Sequence, residues 1–275
     1  MTVHPAIQPY VDAWNHAIEA ISELIAPLPD ADWNRATPCP GWSVRDVVSH
    51  VIGLETEQLG DPRPIHSLPR DLRHVVDEAS RYMEVQVDAR RHHTSLEITS
   101  ELEYTVIRRA RQLRNDKRDP ETATGRGPFG EAIPLPRALQ LRAFDVWIHE
   151  QDLRTALGVP GNLDSPGAHI ACEIMLGALP RVVAKNAGAP AGTAVVIDVH
   201  GPLEFMRTVR VDADGKGSID GTPSLGPAVT LATDWETYFR LAAGRLRPQA
   251  AGDRLKVDGD QDLADAILRE FAITP

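Results

Sequence analysis

The sequence predicts an α+β protein of two domains, an up-and-down four-helix bundle followed by a smaller domain of mixed strands and helices. Three observations predict it. Apolar residues recur at helical spacing through most of the first 158 residues, a Gly/Pro-containing stretch at 158–166 interrupts the pattern, and β-rich runs enter after it. A chain of 275 residues has room for two domains of ordinary size.

The elements follow in order. Ile7, Val11, Trp14, Ile18, Ile21 and Ile25 are spaced as one face of a helix that Pro27 and Pro29 end. Ser43 opens a second helix, because Ser-Val-Arg-Asp has the form of a capping box with Asp46 near the positive helix start. Val44, Val47, Val48, Val51 and Leu54 form its apolar side. After the Pro-rich loop at 61–69, Leu72, Val75, Val76, Ala79, Tyr82 and Met83 mark a third helix. Helical spacing resumes at Leu102, Val106, Ala110 and Leu113, as the same helix or another one. Residues 115–134 read as an irregular connection. A strong helix from about Pro136 to Leu157 is closed by Gly158 and Pro160.

The boundary is expected after Val159, giving domains 1–159 and 160–275. In the second, Ala168–Val183 reads as helix. Thr193–His200 and Leu203–Val211 read as a hairpin across Gly201-Pro202. A strand at 227–232, a helix capped by Asp234, a strand at Leu255–Val257 and a final helix from about Asp260 complete the chain.

Composition narrows the function classes. The hydrophobic share of 42% and charged share of 25% are those of a globular protein. No run approaches the roughly 18 apolar residues of a membrane span. The start, Met-Thr-Val-His-Pro-Ala, lacks the pattern of a signal peptide. Cys39 and Cys172 are too few for a disulfide framework, so a cytoplasmic protein with reduced thiols is expected. The net charge is −10, with 29 bases against 39 acids, and each half is acidic. Neither nucleic acid nor membrane is expected as a partner; monomer and homodimer stay open.

Ten histidines are the chemical lead. His50 lies three residues after Val47 and four before Leu54, hence on or beside the buried face of its helix. On the last bundle helix, RALQLRAFDVWIHEQDL, Asp145 and His149 are four apart and stand one above the other. A carboxylate and an imidazole so placed can hold a divalent metal, and a second imidazole from another helix would complete three ligands with one position open. An ordinary Asp–His pair has the same spacing.

Thr37–His50, TPCPGWSVRDVVSH, and Asp145–Leu153, DVWIHEQDL, resemble the two signatures of the mycothiol-dependent maleylpyruvate isomerase family. The likeness in chain order covers nearly the whole sequence. It implies a DinB-like metal-binding bundle followed by an α+β, SCP2-like domain. It implies His50, Asp145 and His149 as metal ligands, with zinc as the ion and mycothiol as an external thiol cofactor. The isomerase is expected to carry Glu where this chain has Asp145, which bears on the substrate more than on the metal.

The reaction implied is attack by a metal-activated thiolate on a small electrophilic substrate. Reversible addition to an activated double bond gives cis–trans isomerisation, and displacement of a leaving group gives S-transfer. A metal-assisted hydrolase without the thiol, and a metal- or ligand-binding sensor, are the alternatives; a fourth protein ligand would favour the sensor.

Other residues have assigned readings. Arg142, three before Asp145, either binds a substrate carboxylate or pairs with Asp145. Asp152 either supports an imidazole or is a solvated helix-end carboxylate; Arg142 and Asp152 are the catalytic candidates. Arg240 and Arg245 bracket the end of RLAAGR and are the candidates for contact with the sugar part of mycothiol, with helix-end charges as the alternative. Trp42 and Cys39 read as structural, Glu57 as pointing away from His50, and His92, His93 and His200 as surface or turn residues.

Overall fold

The structure is a computed structural model that describes residues 3–274. Met1 and Thr2, which begin the N-terminal segment considered above, lie outside the described residues. Two compact units divide the chain, Met1–Ile170 and Ala171–Pro275.

In the first unit, helix α1 (Gln8–Ile25) buries Val11, Trp14, Ile18, Ile21 and Ile25, the stripe read from the spacing. Helix α2 (Val44–Gln58) begins at a capping box in which Ser43 and Asp46 bond each other's backbone N–H. Helix α3 (Glu78–Asp88) starts later than expected. Asp77 and Ser80 close a capping box there, so Leu72, Val75 and Val76 fall in the irregular stretch before it, with Val76 79% exposed. A separate helix follows, α4 (Ser95–Arg114), begun by a third capping box between Thr94 and Glu97. The two spacings therefore belong to two helices.

The connection after α4 is less irregular than expected. Strands β1 (Thr124–Arg126) and β2 (Ala132–Pro134) pair antiparallel within it, each too short to show an alternation in sequence. Helix α5 (Leu135–Leu157) runs next and ends at Gly158, whose φ of 71° is left-handed. Helix α1 packs on α5 and α4, and α2 packs on α3, α4 and α5, so four long helices form the bundle and α3 lies against it.

The inner stripe expected for α5 understates its burial. Trp147 and Leu153 are fully buried beside Phe144 and Ile148. Between Arg142 and Leu153, Asp145 is the single residue not buried. Gly167 makes room for this packing, since a Cβ there would stand 2.7 Å from the Trp147 ring.

The division between the units falls within helix α6 (Pro166–Arg181). The run Pro166–Asn186 has the length and a mean hydropathy, 1.3, sufficient for a membrane span. Counting unbroken apolar residues does not find it because Glu173, Arg181 and Lys185 interrupt the run.

The second unit is a five-stranded sheet with flanking helices. Strands β3 (Ala194–His200) and β4 (Phe205–Val211) form the expected hairpin, and β5 (Gly217–Asp220), not anticipated, extends it. Strand β6 (Val229–Asp234) lies parallel to β3, and β7 (Leu255–Gly259) pairs antiparallel with β6. The order is β5-β4-β3-β6-β7. Helix α7 (Trp235–Ala242) is capped by Asp234; the short turn α8 (Pro248–Ala251) precedes β7, and α9 (Gln261–Arg269) is capped by Asp260. Phe205, Tyr238 and Phe271 meet edge to face, at 5.4 and 5.7 Å between centroids, as a core for this unit.

Candidate metal centre

The turn before α2 places the first histidine. Gly41 adopts a φ of +78°, and a Cβ on it would stand 2.4 Å from the His74 ring, so the Pro-Gly-Trp turn admits only glycine there. The turn aims Trp42 inward, where its indole N–H donates to the fully buried Glu84 at 2.8 Å. With Ser43 capping the helix, His50 follows two turns on and is 2% exposed. Trp42 lies against it at 4.8 Å between ring centroids and 5.9 Å from the His149 ring.

Helix α5 supplies the rest. Asp145 and His149 stack at i, i+4, and one donor atom from each of His50, Asp145 and His149 lies within 4.8 Å of the others. His50 Nε2 stands 3.6 Å from Asp145 Oδ2, and His149 Nε2 stands 3.6 Å from Asp145 Oδ1. Both separations exceed a hydrogen bond. They suit atoms sharing one small divalent ion, whose ligands at about 2.0–2.2 Å lie roughly 3–4 Å apart. His50 is buried with neither ring nitrogen hydrogen-bonded, a costly arrangement for a side chain without a further partner. His149 Nδ1 meets Asp152 Oδ2 at 3.1 Å, which directs Nε2 toward Asp145. The donor set thus fits a divalent metal, and no fourth His, Cys, Asp or Glu joins it among the described residues.

Electrostatics separates the two imidazoles. Burial pushes His50 down to about 4, against the pull of Asp145 and with help from His149 and Arg142. Burial opposes charge on His149 too, but Asp145 and Asp152 overcome it and raise that group. Burial works to raise the Asp145 carboxyl, yet Arg142, His149 and His50 hold it well below the usual carboxylate range.

Arg142 makes the pairing with Asp145 that is one of its two readings. Its Nη1 contacts Asp145 Oδ2, while its Nε–H donates to Glu55 at 2.7 Å. Its Nη2 is buried without a hydrogen-bond partner. Asp152, 2% exposed, lies behind His149 rather than in solvent. Arg240 and Arg245 belong to the second unit. Arg240 pairs with Glu236 at 3.2 Å, and its Nε is buried without an acceptor. Arg245 donates to the Ala243 carbonyl at 3.0 Å.

Two residues near the centre were not foreseen. Glu55 is fully buried and accepts from Trp14, Arg109 and Arg142 at 2.7, 3.2 and 2.7 Å. Its partners come from three other helices, so no local spacing announces it. Glu57, set aside on the sequence, is 4% exposed, gathers Tyr82, Gln86 and Arg126, and stands two helical turns after His50 on the same side of its helix. A narrow cavity lined by Glu57, Arg126, Arg142 and Asp145 reaches the open side of the cluster.

Fold and site together define a class, a helix bundle bearing a two-histidine, one-carboxylate cluster joined to a second unit built on a sheet. Comparison with protein families gives the particular one. The mycothiol maleylpyruvate isomerase N-terminal domain matches residues 14–154, and the C-terminal domain of the same family matches residues 169–266. The chain belongs to this family. A crystal structure of a mycothiol-dependent maleylpyruvate isomerase is 16% identical, with a TM-score of 0.53 over 94% of this chain and 96% of that one. A mutant of a mycothiol-dependent maleylpyruvate isomerase, 15% identical, gives the same coverage and TM-score. The sterol carrier protein 2-like 2 structure from Aedes aegypti is 17% identical over 37% of this chain and 97% of that one, with a TM-score of 0.30. No curated protein matches the chain.

Proposed function

We propose that the chain is a metal-dependent, mycothiol-using enzyme acting on a small electrophilic substrate, by cis–trans isomerisation or thiol S-transfer. The observation that carries the reading is the His50–Asp145–His149 cluster, with the half-buried Asp145 beside a cavity. Membership of the isomerase family supports the choice of thiol chemistry over hydrolysis. Zinc is the ion that two imidazoles and a carboxylate favour.

A divalent cation held by these residues supplies Lewis acidity and stabilises a thiol in its anionic form. The chain's own residues prepare the place. Asp152 fixes the orientation of the His149 ring. Arg142, anchored on Glu55, steadies Asp145 and offers Nη2 to a substrate carboxylate. Trp42 covers both imidazoles and excludes water from that side. Arg240 and Arg245 are proposed to meet the sugar part of mycothiol. The domain boundary after Val159, where Gly158 ends α5, is part of the same reading.

The test is a screen of activated double bonds and of electrophiles bearing leaving groups, run with and without mycothiol. Turnover only with the thiol is expected. Turnover that is equal without it would replace this reading by metal-assisted hydrolysis.

A further inference from the structure

Beside the metal cluster, the helical unit holds a much larger cleft of about 810 Å³, formed by the ends of α2 and α4, the segment leading to β1 and the start of α5. Its volume is that of a small-molecule site. Six cations line it: Arg108, Arg109, Arg111, Lys117, Arg118 and Arg126, against the carboxylates Glu57 and Asp116. Most of them come from one sequence run, RRARQLRNDKR at 108–118. The overall acidity of the chain hides this local reversal of charge.

Pairing within the protein accounts for four of the six. Arg108 bonds Asp61 at 2.6 Å, Arg109 bonds Glu55 at 3.2 Å, Arg118 bonds Asp116 at 2.6 Å and Arg126 bonds Glu57 at 2.9 Å. Arg111 and Lys117 have no ion pair among the described residues. Arg126 also keeps its Nε–H buried without an acceptor. Cations gathered round one cleft repel each other, and a desolvated donor left unpaired costs free energy. A ligand bearing anionic oxygens relieves both, and guanidinium groups match the geometry of carboxylate and phosphate.

The cleft does not stand alone. It shares Glu57, Gln58, Arg126 and Ala138 with the narrow cavity that reaches Arg142 and Asp145. Arg142, 5% exposed, has its unpartnered Nη2 at that end. Two buried donors without acceptors, Arg126 Nε and Arg142 Nη2, therefore belong to residues that line this continuous wall.

We propose that this cleft binds a small polyanion with two or more carboxylate or phosphate groups, held by Arg111, Lys117 and Arg126. The inference does not depend on the metal. Calorimetric titration of metal-free protein with citrate, pyrophosphate and acetate tests it. One site for citrate, pyrophosphate or both is expected, with acetate at least about tenfold weaker. Citrate alone would mark a polycarboxylate ligand and pyrophosphate alone a phosphorylated one. Both Arg111 and Lys117 are exposed, so the double variant Arg111→Ala/Lys117→Ala is expected to fold and to bind at least about tenfold more weakly. A control with the same charge change outside the cleft, Arg70→Ala/Arg73→Ala, is expected to bind as the wild type does. Absence of binding, acetate as tight as the polyanions, or equal losses in the two double variants would overturn the proposal.

Discussion

Arg142 is held from two sides, its Nε–H donating to Glu55 at 2.7 Å and its Nη1 meeting Asp145. Glu55 has no solvent exposure and also accepts from Trp14 and Arg109, so one buried carboxylate joins the bundle interior to the candidate metal ligand. Burial lowers the tendency of Arg142 to stay charged, but Glu55 and Asp145 more than compensate and raise it. The guanidinium is thus a fixed charge at a fixed place.

Removing Glu55 strands two buried arginines. Glu55→Ala is expected to lower unfolding free energy by about 3–5 kcal/mol in urea denaturation, the usual cost of breaking a buried ion pair from one side. A loss below about 1 kcal/mol would show that the network is not structural.

Asp152 acts through His149. Asp152→Ala leaves the Nδ1 side without its carboxylate, and metal affinity is expected to fall about 10–100-fold with secondary structure unchanged. Competition with a chromophoric chelator measures it; unchanged affinity would assign Asp152 to packing alone.

The two site histidines are expected to titrate far apart in metal-free protein. Burial holds His50 neutral down to about 4, whereas Asp145 and Asp152 raise His149 despite its burial. An NMR titration at pH 5.5 is expected to find His50 neutral and His149 protonated. The unfolded chain takes up a proton at His50 near pH 6.5 that the folded chain refuses until about pH 4. Its share of stability is therefore complete above pH 6.5 and lost as pH falls toward 4. A His50 resonance that titrates near 6.5 would contradict this.

Burial pushes the Cys172 thiol up to about 11. Its thiolate population at pH 8 is then roughly 100-fold below that of an ordinary thiol, and alkylation by iodoacetamide is expected to slow in proportion. Peptide mass spectrometry follows it; reaction at the rate of a free thiol would be the contrary result.

Much of this architecture is written locally. Ser43 with Asp46, Gly158 and the caps at Asp234 and Asp260 act within one turn of where they stand, and the α1 stripe repeats along a single helix, so spacing reveals them. The pairing of Asp145 with His149 is local as well, and the inward side of α2 brings His50 within reach. The parts hidden from the sequence depend on long-range partners or short segments. Glu55 owes its importance to Trp14, Arg109 and Arg142, and Glu84 to Trp42 and His74. Three-residue strands such as β1 and β2 show no alternation, and the start of α3 rests on a cap whose apolar approach resembles helix.

The most direct test is the metal content of protein purified without chelator, measured by elemental analysis on the wild type, His50→Ala and His149→Ala. Close to one divalent ion per wild-type chain and a marked loss in both variants is the predicted result. Equal metal in all three proteins, or none in the wild type after supplying zinc, would contradict the assignment of His50, Asp145 and His149 as a metal site.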